Sequence, residues 1–380
     1  MRHLFFRSKW FWIVVFVTLT ATVAFYPVWM TWGAGDLVPS RQTTQSGNAD
    51  GQAAANSLAT AGATKNLPHT VALGTAVRLG PLTTEAAYRD TLLSHFTSVT
   101  PENALDFRYS EPRPGDYDFT AADTIVNFAH DHNLSVFGNG LVWFQAVPDW
   151  LKNGNYTRAQ VIAILRSHIF TVVSRYRGRI DSWEVVDEAL SKDGSALRDS
   201  FWLQTIGPDY IAMAFQWAHE ADPNAALYYN EYGIEMPGPK FDALYALLTS
   251  LIKQGVPISG VGFQLHEDLT FGKPTMKGVA TNFSRISALG LKIRITEMDV
   301  GSVTGSNIQQ KLAEQANRYG TMATLCMLAK ACVAFTVWGL TDKYTWIDAF
   351  YHRQDMPLLF DSNYKPKPAF YAVRNALKTP

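Results

Sequence analysis

Hydrophobic and polar positions divide the chain into three regimes. From 10 to 32 runs WFWIVVFVTLTATVAFYPVWMTW, an uncharged apolar stretch long enough to cross a bilayer as a helix. Arg2, Arg7 and Lys9 precede it without an acidic residue, a flank that keeps the start of the chain in the cytoplasm and sends the rest outside. The basic start and the small residues around Thr22-Val23-Ala24 also suit a secretory signal with a cleavage site, although the run is longer and more aromatic than a signal core usually is. A signal peptide or an N-terminal membrane anchor is therefore expected over 1–32. The domain after it is then extracellular, either secreted or tethered to the outer face of the membrane. From 33 to 65 large apolar residues thin out, and Ser, Thr, Gln, Ala, Asn and Gly take over, the composition of a flexible linker.

Beyond residue 66 short apolar runs alternate with amphipathic ones. Strands are expected over 71–77, 98–100, 135–143, 180–186, 226–230, 260–264, 292–296 and 334–338. Helical spacing lies between them, for example over 83–96, 121–132, 158–176, 208–221, 239–254 and 307–328. Eight strands, each followed by a helix, predict an α/β fold over 66–380, a parallel sheet closed into a (β/α)8 TIM barrel. An open doubly wound sheet is the alternative, but it normally carries a glycine-rich phosphate turn after an early strand, and none is present.

A barrel places its working side chains just after the strands. Polar and aromatic residues do collect there: Glu102 and Asn103, Asn139 and Trp143, Asp187 and Glu188, Asn230 and Glu231, Gln264 and His266, Glu297 and Asp299, and Trp338. Two of these ends share one design. DSWEVVDEAL at 181–190 stops on Asp187 and Glu188, and LKIRITEMDV at 291–300 closes on Glu297 and Asp299. A strand that ends in acid is costly unless the acid is paired or faces a cleft. One such glutamate is readily a solvated or salt-bridged strand end. Two in matching positions suggest carboxyl groups facing each other across a site, the working parts of glycoside hydrolysis.

Charge adds an exclusion. The 33 Lys and Arg balance the 33 Asp and Glu, so nothing calls for nucleic acid or another polyanion. Tryptophan and tyrosine are plentiful, and rings near strand ends suit the C–H faces of sugars. Trp183, Trp202 and Trp217 read as core; Trp338 and Trp346 flank a polar turn at 341–343, which favours a cleft. Cys326 and Cys332 come with no histidine spacing for a metal, and are either buried thiols or one short disulfide. No metal or cofactor is called for, and a monomer is expected. Asn133, Asn155 and Asn282 each begin an N-glycosylation triplet.

Nine blocks then fall in one order: TPENALDF at 100–107, EPRPGDYDF at 111–119, LVWFQAVPDWL at 141–151, WEVVDEAL at 183–190, YYNEY at 228–232, GVGFQLH at 260–266, ITEMDV at 295–300, TVWGLTDKYTW at 336–346 and PLLFDSNYKPKPAF at 357–370. Together they resemble glycoside hydrolase family 10, the (β/α)8 endo-1,4-β-xylanases, from about residue 67 onward. The resemblance implies a retaining endo-1,4-β-glycosidase acting on xylan, with Glu188 as acid/base and Glu297 as nucleophile. It implies that His266 tunes the nucleophile, with Asp299 in the same polar network and Gln264 close by. Glu102 and Asn103 would hold hydroxyls on the glycone side, where Trp338, Trp346 and Trp143 form floor and walls. Cys326 and Cys332 would form the short disulfide of many relatives. A β-glucanase or transglycosylase on the same barrel is the enzymatic alternative, and a carbohydrate-binding surface protein without turnover is the alternative from another class.

Four positions depart from the family pattern. Asp187 stands for an asparagine, Asp106 for a lysine, and Asn139 and Phe144 for two histidines. The changes remove donors and cations from around the glycone side and add carboxylate. A donor facing a sugar hydroxyl contributes roughly 1 kcal/mol, so weaker binding or a differently decorated sugar is expected. Glu188 must also be protonated at rest, and Glu297, together with Asp187 if that group is ionised, is expected to raise its pKa.

Overall fold

The computed structural model describes residues 70–378. The apolar run and the polar linker expected before them, at 1–32 and 33–65, lie outside the described residues. Among the described residues no helix is long and apolar enough to cross a membrane.

Eight parallel strands close on themselves: β1 (Ala72–Ala76), β2 (Ser98–Thr100), β3 (Ser135–Gly138), β5 (Ser182–Asp187), β6 (Ala226–Glu231), β7 (Gly260–Phe263), β9 (Lys292–Gly301) and β10 (Cys332–Val337). Closure is made where β10 pairs with both β9 and β1, with Ala72 opposite Ala334 and Thr75 opposite Val337. Two short strands are added at the rim: β4 (Val142–Trp143) on β5, and β8 (His266–Asp268) on β9. The strand expected over 135–143 is thus interrupted. The chain leaves the barrel at Asn139-Gly140-Leu141 and returns for two residues. The seventh strand is longer than its apolar stretch, because pairing continues through Thr296, Glu297 and Asp299 to Gly301. Hydrophobicity marks only the part of a strand that is buried by apolar neighbours.

Strands buried on both faces explain the near-continuous apolar runs. All six residues of β5 are buried, as are all of β9 after Lys292. Helices cover the outside, among them those at Thr120–Asp131, Arg158–Arg175, Tyr210–Ala221, Pro239–Lys253 and Ile308–Leu328. The helix at Met276–Ala288 buries Val279, Phe283 and Ile286. Its Asn282 is fully buried and donates to the Ile234 carbonyl, so that triplet is closed to glycosylation. Trp183, Trp202 and Trp217 are core residues. Gly138 is fixed by packing: any side-chain carbon there would strike the Trp183 ring at 2.5 Å.

Cys326 and Cys332 are joined as a disulfide, linking the last turn of the Ile308–Leu328 helix to the first residue of β10. On the opposite face Glu85 gathers Lys343 Nζ at 2.9 Å and the hydroxyls of Tyr344 and Tyr364. These donors pull its carboxyl down to about 2. The clasp ties the start of the barrel to the segment after β10.

Candidate active site

Glu297 lies in the second half of β9, and its two oxygens are served from different strands. Asn230 Nδ2, on β6, donates to Oε1 at 2.7 Å, while Thr296 donates to Asn230 Oδ1 and fixes which way that amide points. Gly262, on β7, leaves the space for it, since a side-chain carbon there would collide with Asn230 Oδ1. His266 Nε2 stands 3.2 Å from Glu297 Oε2, and His266 Nδ1 stands 3.0 Å from Asp299 Oδ2. Trp346 Nε1 donates to the same Asp299 oxygen at 2.7 Å. Burial works against a charge on His266, but Asp299 and Glu297 outweigh it and hold the imidazole well above its ordinary value. The result is a Glu297 side chain with a partner at each of its two oxygens.

Glu188 faces the opposite conditions. It follows β5 with φ at 53°, a left-handed conformation costly for any residue with a Cβ. The surroundings enforce it: Glu188 N donates to the Asn230 carbonyl at 3.1 Å, Arg198 Nε donates to the Glu188 carbonyl at 2.7 Å, and the next two amides bond to Tyr229 and Glu231. Its carboxyl is 1% exposed, with Gln264 Nε2 at 3.2 Å and Arg198 Nη2 at 3.6 Å. Burial and the negative charge of Glu231 raise its pKa, Arg198 and Gln264 oppose them, Glu297 adds to the rise, and the balance is about 8. One glutamate is pushed to keep its proton at neutral pH, and the other has a hydrogen-bond partner at each oxygen. Such an asymmetry is what an acid and a nucleophile sharing one site require.

Asp187 does not act as expected from the sequence. Burial and then Glu184, Glu188, Glu297 and Glu231 drive it well above its usual value, so it is a neutral acid and not a charge that raises Glu188. The carboxylate that does so most is Glu231, itself bound to Lys240 Nζ at 2.8 Å. A register irregularity between Glu184 and Val186 lets Asp187 join Glu184 on one side of the strand. Carboxyl oxygens of Glu184, Asp187 and Glu297 lie within 4.8 Å of one another, close enough to share a cation. Burial, however, drives Glu184 and Asp187 to their neutral forms, so protons serve where a cation otherwise would. Asp106, buried behind Gly140, is likewise pushed up by burial.

The remaining candidate residues follow the ends of other strands. Asn139 Nδ2 donates to the Glu102 carbonyl, and Glu102 Oε2 binds Arg78 Nε at 2.6 Å. Asn103 is exposed at the lip, and Trp143, Trp338 and Trp346 are half-buried. Trp143 is placed by β4, opposite Asp187 in register, and Trp338 by the hydrogen bond its backbone N–H donates to the Met298 carbonyl. Phe144 is half-buried. The Arg198 guanidinium lies over its ring at 4.3 Å, so it supports the cation beside Glu188. Glu184, Arg198 and Arg78 were not singled out from the sequence. Their roles depend on contacts across loops and on a bulge, and no local pattern marks them.

Comparison with known proteins agrees with this geometry. The profile of glycosyl hydrolase family 10 matches residues 63–376. Endo-1,4-beta-xylanase B of Thermotoga neapolitana is 38% identical over 291 residues, covering 77% of this chain and 83% of that protein. Beta-1,4-xylanase of Dictyoglomus thermophilum is 38% identical over 298 residues, covering 75% and 83%. Among solved structures, native xylanase 10B from Thermotoga maritima superposes with a TM-score of 0.79 at 36% identity, covering 82% of this chain and 96% of that one. Xylanase 10B from Thermotoga petrophila in complex with xylobiose gives 0.78 at 36% identity, covering 83% and 99%.

Proposed function

The chain belongs to glycosyl hydrolase family 10, and on that premise we propose that it is a retaining endo-1,4-β-xylanase that cleaves internal β-1,4-xylosidic bonds of xylan. The observation that carries the reading is the unequal treatment of two glutamates: Glu188 keeps a proton up to about pH 8, while Glu297 is gripped between Asn230 and His266. Glycoside cleavage passes through an oxocarbenium-like transition state, which needs a proton on the leaving oxygen and a negative charge at the anomeric carbon. Glu188 supplies the first. Glu297 supplies the second and bonds to the sugar, giving a covalent glycosyl–enzyme. Glu188, now ionised, takes a proton from water, which attacks the same carbon and restores both groups. The site carries one negative charge at each stage, moving from Glu297 to Glu188 and back, and the neutral Asp187 beside them adds no second one.

Glu102, Asn103 and Asn139, with Trp143, Trp338 and Trp346, are assigned to the glycone flank, and Gln264 to the sugar between the glutamates. His266 and Asp299 position and tune Glu297. The named relatives and the xylobiose complex of a structural neighbour support xylan as the substrate. The apolar run at 10–32 and the polar stretch at 33–65 support an exported catalytic domain, from residue 66, released or held off the outer membrane face by a linker. The test is hydrolysis of xylan and of an aryl β-xylobioside, with the first anomer released read by NMR. Retention and its loss in Glu297→Ala are expected; an inverted product or undiminished turnover refutes the assignment.

A further inference from the structure

Beside Glu102 and Asn103 the rim opens into a cavity of about 550 Å³ that the two-glutamate chemistry leaves unused. It lies where the ends of β1 and β2 meet the helix at Thr120–Asp131, and Arg78, Glu102, Asn103, Tyr109 and Asp118 contribute its polar and aromatic lining. Its size is within the range of small-molecule sites. Tyr109 is 53% exposed, unusual for a large ring, and the Arg108 guanidinium lies 5.7 Å from its centroid. An exposed ring among hydrogen-bonding groups is the arrangement that takes the C–H face of a sugar.

Charge selects which sugar. Arg78 is bound to Glu102, so each offsets the other. Asp118 is held below its usual range by the backbone and side-chain donors of Thr120, and so is ionised. Arg108, outside the lining, brings the surroundings only to neutrality. No surplus positive charge is available to recruit a uronic acid.

We propose that this cavity binds a neutral glycosyl unit of the polysaccharide, beyond the sugar held by Glu102 and Asn103, with Tyr109 as its stacking platform. The unit is either the next sugar of the main chain or a neutral pentose branch, which present the same faces to the ring. The proposal rests on the xylanase reading, and its test is built so that the two fail separately.

Tyr109→Ala and Tyr109→Phe are compared with the unaltered chain on an aryl xylobioside, on longer linear xylo-oligosaccharides, and on arabinosyl- and glucuronosyl-branched ones. The ratio of kcat/KM for oligosaccharides that fill the cavity over the short aryl glycoside should fall about five- to tenfold in Tyr109→Ala and be kept in Tyr109→Phe. A fall confined to long linear substrates assigns the main chain, and one confined to arabinosyl branches assigns the side unit. The same ligands titrated calorimetrically into Glu297→Ala, with and without Tyr109→Ala, give the answer without turnover. Unchanged ratios and affinities overturn the proposal, as does a fall greatest for glucuronosyl branches. Absence of turnover by the unaltered chain on every substrate would sink the xylanase reading instead, and the calorimetry would still decide the cavity.

Discussion

Replacing Asp187 by asparagine separates two accounts of the acid/base. In the structure Asp187 is a buried neutral acid that shares the Gln264 amide with Glu188. Two carboxyl groups served by one donor sit roughly 5 Å apart, and at that distance unit charges interact by about 3 kcal/mol at an effective dielectric of 20. An ionised Asp187 would therefore lift the Glu188 pKa by roughly two units. A neutral one contributes almost nothing, and an amide of the same shape replaces it silently. The assay is the pH dependence of kcat/KM on an aryl xylobioside, whose alkaline limb reports the proton of free-enzyme Glu188. In Asp187→Asn the limb should stay near pH 8, within about 0.3 unit, the position set by Glu188 itself. A downward move of about two units would falsify the neutral-acid assignment. Glu231→Gln is the contrasting variant. It removes the strongest charge raising Glu188 and leaves Lys240 unpaired, so the limb should move down.

The same buried acids make stability fall with pH. Glu188 binds its proton up to about 8 when folded but only to about 4.5 when exposed, so its contribution is complete below the lower value and lost towards the upper one. Glu184, Asp187 and Asp106 act in the same sense. Each pH unit per titrating group costs about 1.4 kcal/mol, so Tm by calorimetry should drop between pH 5 and pH 8; a rise would contradict the burial assignment. Glu85, held to about 2, opposes this only in more acidic solution. Trp346→Phe keeps the ring but removes a donor to charged Asp299, a bond worth about 1.5–3 kcal/mol. Its kcat/KM should fall by at least tenfold, and an unchanged value would show that Asp299 does not act through His266. Replacing both Cys326 and Cys332 by alanine opens a short loop and should cost about 2 kcal/mol. The expected readout is a Tm lower by a few degrees with kcat unchanged, because the bond lies at the end of the barrel away from Glu188 and Glu297; a large loss of kcat would refute that separation.

The barrel and the two glutamates were legible because each rests on a local pattern: apolar runs with a helix after each, and acid at the end of a strand. What was not legible depends on geometry between segments. Asp187 reads in the sequence as a second charge beside Glu188, yet its upward shift follows first from burial and then from Glu184, Glu188, Glu297 and Glu231, which a linear pattern does not bring together. The missing donor at Phe144 is visible in the sequence, but the ring's place under the Arg198 guanidinium is not. The interruption at Asn139-Gly140 was hidden because both halves of 135–143 are apolar. Gly140 has φ at 76° and packs on Asp106, a positive-φ turn that breaks the strand there. The disulfide had two readings by residue count alone, and became a single one only through the family resemblance.

The left-handed backbone at Glu188 has an implication for any effort to harden this protein against heat. Glycine adopts that conformation freely, so Glu188→Gly relieves the local strain and removes a buried ionisable group in one step. That gain is set against the cavity and the unpaired Arg198 the change would leave, so a selection scored on melting temperature alone does not protect the proton donor, and only a screen that also demands product would.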